Sequence, residues 1–97
     1  MITLSLSKAR ETNNNLKNRF GALVENIEEQ SSINDDDETR DICSLRVIFC
    51  KEALEEKTGV DEFDIIEAYF DAITNEFMAR AMSDTDTAAL NVFLKSL

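Results

Sequence analysis

A chain of 97 residues with 43% hydrophobic residues is long enough for one small folded domain and too apolar for the disordered class. Its 20 acidic and 10 basic residues give a net charge of −10, which argues against direct binding of nucleic acid, because phosphate contacts need Lys and Arg. Histidine, the commonest metal ligand and general base, is absent, and no apolar run approaches the ~20 residues of a membrane span. The composition thus predicts a cytoplasmic protein without enzymatic activity, cofactor, metal or membrane contact.

The first seven residues, MITLSLS, fit two structures. Apolar Ile2, Leu4 and Leu6 alternate with polar residues, which is typical of a half-buried strand over residues 2–6. Alternatively they begin a long helix, since a heptad spacing continues through Asn13, and one Asn in such a seam fixes the register of a coiled coil. Either structure leaves an edge or an apolar seam that a second chain could cover. The residues expected to mediate self-association are Ile2, Leu4, Leu6 and Asn13.

The rest of the chain is predicted to be helical. Proline is absent, glycine occurs twice, and apolar residues recur three or four positions apart. Residues at this spacing would form one apolar face of each helix, directed toward the core. In the third predicted helix, that face consists of Phe63, Ile66, Tyr69, Phe70, Ile73 and Phe77. The fold expected for residues 1–97 is therefore all-α, a small four-helix bundle-like domain with a possible short strand over residues 2–6. The expected helices span residues 8–30, 36–58, 61–82 and 84–96.

Negative charge is concentrated in the later part of the sequence, because residues 1–34 contain four acids and four bases. The carboxylates of Asp64, Glu67 and Asp71 would lie along one face of the predicted third helix, about 4.5 to 6 Å apart along its axis. This spacing is close to the ~6 to 7 Å between phosphates of one nucleic-acid strand. Such a row is either a solvated face of the helix or a binding surface. The four consecutive acids from Asp35 to Glu38 are either a second part of that surface or the first turn of the second helix, where negative charge is favourable. The candidate partner-binding residues are Asp35, Asp36, Asp37, Glu38, Asp64, Glu67 and Asp71.

In size, acidity and predicted helical content the chain resembles the anti-restriction and anti-CRISPR proteins that phages and mobile elements encode. The resemblance extends over composition and length and involves no shared motif. It implies a nucleic-acid mimic that acts in the host cytoplasm and blocks the DNA- or RNA-binding surface of a basic protein or nucleoprotein complex. The alternative is a small helical adaptor or assembly subunit that forms homodimers through its N-terminal segment. An enzyme is the least favoured class, because no nucleophile motif or Gly-rich loop accompanies the carboxylates.

Overall fold

Helices lie on one face of an antiparallel sheet in the computed structural model, which describes residues 4–31 and 41–97. The strands are β1 (Leu4–Ser5), β2 (Val24–Ser31), β3 (Asp41–Phe49), β4 (Ile65–Asp71) and β5 (Glu76–Ala81). The helices are α1 (Leu6–Phe20), α2 (Lys51–Thr58) and α3 (Asp84–Lys95), and short 3-10 helices span Gly21–Leu23 and Glu62–Asp64. The fold is mixed α/β, so the prediction of an all-α four-helix bundle is wrong.

Three of the four predicted helices change structure along their length. The segment expected to be helical over 8–30 leaves the helix at Gly21 and continues as β2. The segment 36–58 contains β3 followed by α2, and the segment 61–82 contains the β4–β5 hairpin. The last predicted helix, over 84–96, corresponds to α3.

The four longer strands follow the order β2-β3-β4-β5, and all neighbours are antiparallel. The N-terminal strand β1 pairs with β3 through Leu4 opposite Ile42 and Ser5 opposite Asp41. Because β2 occupies one edge of β3 as far as Ile42, β1 must lie on the other edge, beyond the end of β4. The lone alternating segment at the N-terminus therefore finds a pairing partner within its own chain.

The two structures proposed for the N-terminal segment each hold over part of it. Only Leu4 and Ser5 are extended, and the helix begins at Leu6. The Ser5 hydroxyl accepts a hydrogen bond from the Lys8 amide at 3.3 Å, so Ser5 is the N-cap of α1. Residues 1–3 lie outside the described part of the chain.

A cluster of aromatic rings forms the centre of the core. Phe20 of α1 contacts three rings of the sheet, those of Phe49, Phe70 and Phe77, with ring centres 5.2 to 6.0 Å apart. The Arg19 guanidinium closes this cluster from outside, 4.8 Å from the centre of the Phe20 ring. The buried apolar residues of α1, which are Ala9, Leu16 and Phe20, thus pack against the sheet of the same chain.

The two outer edges of the sheet, those of β5 and β2, differ in whether side chains occupy their free backbone groups. On β5, the Asn91 side chain of α3 accepts a hydrogen bond from the Ala79 amide (3.2 Å) and donates one to the Ala79 carbonyl (2.9 Å). The Thr87 hydroxyl likewise accepts from the Ala81 amide at 2.9 Å. These side chains replace a neighbouring strand and block the edge, whereas the outer edge of β2 has no partner strand among the described residues.

Candidate interaction surface

The face of the sheet that points away from the helices carries a row of apolar side chains. Ile48 lies opposite Tyr69, which in turn lies opposite Met78 on the neighbouring strand. The Tyr69 hydroxyl donates to the Met78 sulfur at 3.1 Å, and the Arg46 guanidinium lies 4.8 Å from the centre of the Tyr69 ring. Within the described ranges no helix packs on this row, and its Met78 side chain is 47% exposed.

A shallow concavity of about 350 Å³ lies on this open face, across β2, β3 and β4. Two of its lining residues, Glu25 and Ile66, sit where the strand register slips by one residue. Such β-bulges turn side chains away from the regular alternation and commonly adjoin binding sites. The remaining polar lining mixes acidic Glu28 and Glu67 with basic Arg46 and Lys51, so the concavity has no single sign of charge.

Carboxylates concentrate instead around α2 and the 3-10 helix that follows it. Residues 51–64 contain six acids and two bases, and no Lys or Arg occurs between residues 58 and 79. The first turn of α3 adds two more acids, and it lies nearby because the Met82 amide donates to the Asp64 carbonyl at 2.9 Å. We call this the acidic surface, and it consists of Glu52, Glu55, Glu56, Asp61, Glu62, Asp64, Asp84 and Asp86.

The electrostatics of Glu62 show that these carboxylates influence one another. Its pKa lies above the ordinary value for a glutamate, first because partial burial disfavours the charged form, and then because Glu52, Glu55 and Asp61 carry the same charge. A positively charged partner would therefore relieve an unfavourable interaction as well as form new ones.

The predicted row of Asp64, Glu67 and Asp71 is not a row in the structure. Asp64 ends the 3-10 helix, whereas Glu67 and Asp71 both lie on β4. Four residues of extended chain separate those two by about 13 Å, compared with the ~6 Å that a helix would give. Only Asp64 belongs to the acidic surface, so the phosphate-like spacing proposed for this trio is wrong.

Asp71 has a structural role in the β4–β5 hairpin. Its Oδ1 accepts hydrogen bonds from the amides of Ile73 (3.0 Å) and Thr74 (3.2 Å), which stabilises the turn. Its Oδ2 lies 3.8 Å from Nε of Arg46 on the neighbouring strand. These contacts occupy the carboxylate within the chain.

The residues predicted for self-association are also engaged internally where they are described. Leu4 pairs through its backbone with β3, and Leu6 begins α1. The half-buried Asn13 side chain donates to Glu29 of β2 at 3.3 Å, so it faces its own sheet rather than a second helix. Ile2 and the acidic stretch from Asp35 to Glu38 lie outside the described residues.

Sequence reasoning missed two features of this surface. The three acids of α2 lie within the seven residues KEALEEK, and this density of acids in the sequence is a signal that could have located the surface. The helical spacing of Phe63 from Ile66 and Phe70 predicts a position in the core, yet its side chain is 87% exposed. It lies on the 3-10 helix, between Glu62 and Asp64 of the acidic surface.

The described residues contain no group of three or more Cys, Asp or Glu arranged to hold a metal ion. None of the helices within residues 4–31 and 41–97 combines the length and apolar character required to cross a membrane. Comparisons of the chain with protein-family models, with curated proteins and with solved structures found no match. The function is therefore inferred from the geometry and charge of the surface itself.

Proposed function

We propose that this protein is a non-enzymatic binding protein that occupies the basic, nucleic-acid-binding surface of another protein and so excludes nucleic acid from it. The acidic surface around α2 is the observation that supports this function. Its carboxylates come from three separate elements, and only two lysines lie among them. A surface of this kind attracts a basic protein at long range and disfavours an acidic one.

The mimicry of nucleic acid would depend on the density of negative charge on this surface rather than on a row of carboxylates along one helix. Acids on α2, on the 3-10 helix and on the first turn of α3 present negative charge over an area instead of along a line. Binding to a channel evolved for phosphates should therefore tolerate the removal of one carboxylate but not the reversal of several. It should also weaken steeply with salt, because exposed charges are screened.

A competition experiment tests the function. The tagged protein is used to capture partners from host lysate at low salt, and each captured protein is then purified and bound to a labelled oligonucleotide. We expect the chain to displace the oligonucleotide from its partner, and to lose this ability at high salt.

Charge reversal locates the surface. The variant Glu52→Lys/Glu55→Lys should fail to displace the oligonucleotide. The matched control Glu11→Lys/Glu76→Lys makes the same change of net charge at exposed positions outside the acidic surface and should retain most activity. Equal loss in both variants would mean that only net charge matters, and retention in both would contradict the proposed surface.

The alternative function, an adaptor that forms homodimers through Ile2, Leu4, Leu6 and Asn13, has weaker support. The backbone of Leu4 pairs within the chain, and Asn13 is bonded to Glu29. We expect light scattering at tens of micromolar to give the mass of a monomer. A dimer that Asn13→Lys dissociates would favour the adaptor function instead.

A further inference from the structure

Phe63 differs from every other phenylalanine in this protein. The other five lie in the core or pack against it, namely Phe20, Phe49, Phe70, Phe77 and Phe93. Phe63 is 87% exposed, the highest value among the exposed large hydrophobic side chains of the described residues. Its side chain therefore contributes little to the packing of the fold, and burial in a partner would remove a large apolar area from water.

The backbone that carries Phe63 is held in place by hydrogen bonds. The Asp61 carboxylate accepts from the Phe63 amide at 2.9 Å, and the Asp61 carbonyl accepts from the Asp64 amide at 3.0 Å. The Met82 amide then ties Asp64 to the end of β5 at 2.9 Å. A side chain presented on an ordered turn loses less conformational entropy on binding than one on a flexible loop.

Two other exposed apolar residues are connected to the segment of Phe63 through the backbone. Met82, whose amide bonds to Asp64, is 73% exposed, and the bulge residue Ile66 is 43% exposed. Acidic residues flank this group on both sides, with Asp61 and Glu62 before Phe63 and Asp84 after Met82. Apolar contact area is thus placed within a strongly negative field, which is the complement of a basic surface with apolar side chains between its Lys and Arg residues.

We propose that Phe63, together with the exposed side chains of Met82 and Ile66, is the apolar anchor of the binding surface, and that its occupant is a basic protein segment that carries apolar side chains between its lysines and arginines. This inference rests on the proposed function and adds the chemistry of the partner to it. Nucleic-acid channels offer such sites where aromatic or apolar side chains that stack on bases lie beside the residues that bind phosphates. The anchor also predicts that part of the affinity survives high salt, because apolar burial is not screened.

Two synthetic peptides of equal length and equal positive charge provide the probes. One combines Lys with Leu, and in the other Ser replaces every Leu. Binding of each fluorescently labelled peptide to the intact chain is measured by anisotropy at low and high salt. We expect the Leu peptide to bind about tenfold more tightly or better, which is the change that one well-buried anchor gives.

Phe63→Ala should remove this preference for the Leu peptide and leave binding of the Ser peptide unchanged. The matched control is Val92→Ala on α3, an apolar side chain that is 72% exposed and lies outside the acidic surface. Because both side chains are exposed, both variants should melt within a few degrees of the parent, and the melting curves verify this.

The outcomes separate the anchor from the proposed function. If both peptides bind equally, or if Phe63→Ala and Val92→Ala behave alike, the anchor is wrong although the acidic surface still binds basic chains. If neither peptide binds at low salt, both the proposed function and the anchor fail. If only the Leu peptide binds, and Phe63→Ala abolishes that binding, the anchor is upheld and the charge-based function is the part that fails.

Discussion

Replacement of Asn91 by alanine should destabilise the protein by about 2 to 3 kcal/mol, because the Asn91 side chain takes the place of a strand at the edge of β5. Its amide group forms hydrogen bonds with both backbone groups of Ala79, and its nitrogen also donates to the Thr87 carbonyl at 2.9 Å. Ala79 is only 4% exposed, so water cannot easily replace these partners. The variant leaves an amide and a carbonyl without hydrogen bonds in a nearly buried strand.

The magnitude follows from the number of groups left unpaired. The amide and the carbonyl of Ala79 lie at the edge of the sheet, so each costs the lower part of the ~1 to 3 kcal/mol of a buried polar group without a partner, and alanine returns a few tenths of a kcal/mol through its higher helix propensity. At an unfolding entropy of about 2.1 cal/mol/K per residue, 1 kcal/mol corresponds to about 5 °C in a chain of 97 residues. The Tm of Asn91→Ala should therefore fall by about 10 to 15 °C.

Urea denaturation followed by circular dichroism measures this difference, with Asn15→Ala as the control. Asn15 is exposed within α1, so its replacement reports the change in helix propensity alone and should be neutral or slightly stabilising. A free energy of unfolding for Asn91→Ala within about 0.5 kcal/mol of the control would refute the proposed role of Asn91 in capping the sheet edge.

Three further predictions test the pKa, the turn and the core. Folding raises the pKa of Glu62 and so favours its protonated form, which means that this contribution to stability is present at low pH and is lost as the pH rises. Glu62→Gln should accordingly raise the Tm at pH 7 but not at about pH 4, and equal melting at pH 7 would contradict the repulsion. Asp71→Ala should be about 1 kcal/mol less stable in urea than Asp71→Asn, which keeps the oxygen that accepts from the turn amides, and equal stability would exclude that role. Phe20→Ala should lose about 3 to 5 kcal/mol in the same assay, and a loss under about 1 kcal/mol would show that Phe20 is not central to the core.

The helical interpretation of the middle of the chain was wrong for an identifiable reason. The buried residues of β4 are Ile65, Ala68 and Phe70, because a bulge at Ile66 inserts one residue into the alternation. A spacing of three followed by two resembles the start of a helical stripe more than the regular period of a strand. The spacing from Ile42 to Leu45 in β3 is lengthened in the same way. The bulges are visible only once the neighbouring strand is in place.

The turn of the β4–β5 hairpin was hidden for a second reason. It contains neither Gly nor Pro, the residues on which a prediction of a chain reversal mainly depends. Asn75 supplies the left-handed conformation instead, with φ of 59°, and Asp71 supplies the hydrogen bonds. Without a Gly or Pro to indicate a break, the sequence predicts one long helix over residues 61–82. Their acids consequently received helical distances that a strand does not have.

Structural features that depend only on residues close together in the sequence were predictable from the sequence alone. The sequence indicated helices that begin near residues 8 and 84, and α1 and α3 begin at Leu6 and Asp84. It also determined the concentration of negative charge, since charge follows from composition. Local propensity, capping and charge do not require contact between distant parts of the chain.

Tertiary structure decided which apolar residues became strands and which acids came together. Val47 and Phe49 could serve either a helix or a strand, and pairing of β3 with three other strands selected the strand. The proximity of Glu62 to Glu52 and Glu55, and the exposure of Phe63, likewise follow from the packing of the 3-10 helix beside α2. Strand pairing and surface charge join residues that are far apart in the sequence, and for that reason the interaction surface emerged only from the folded chain.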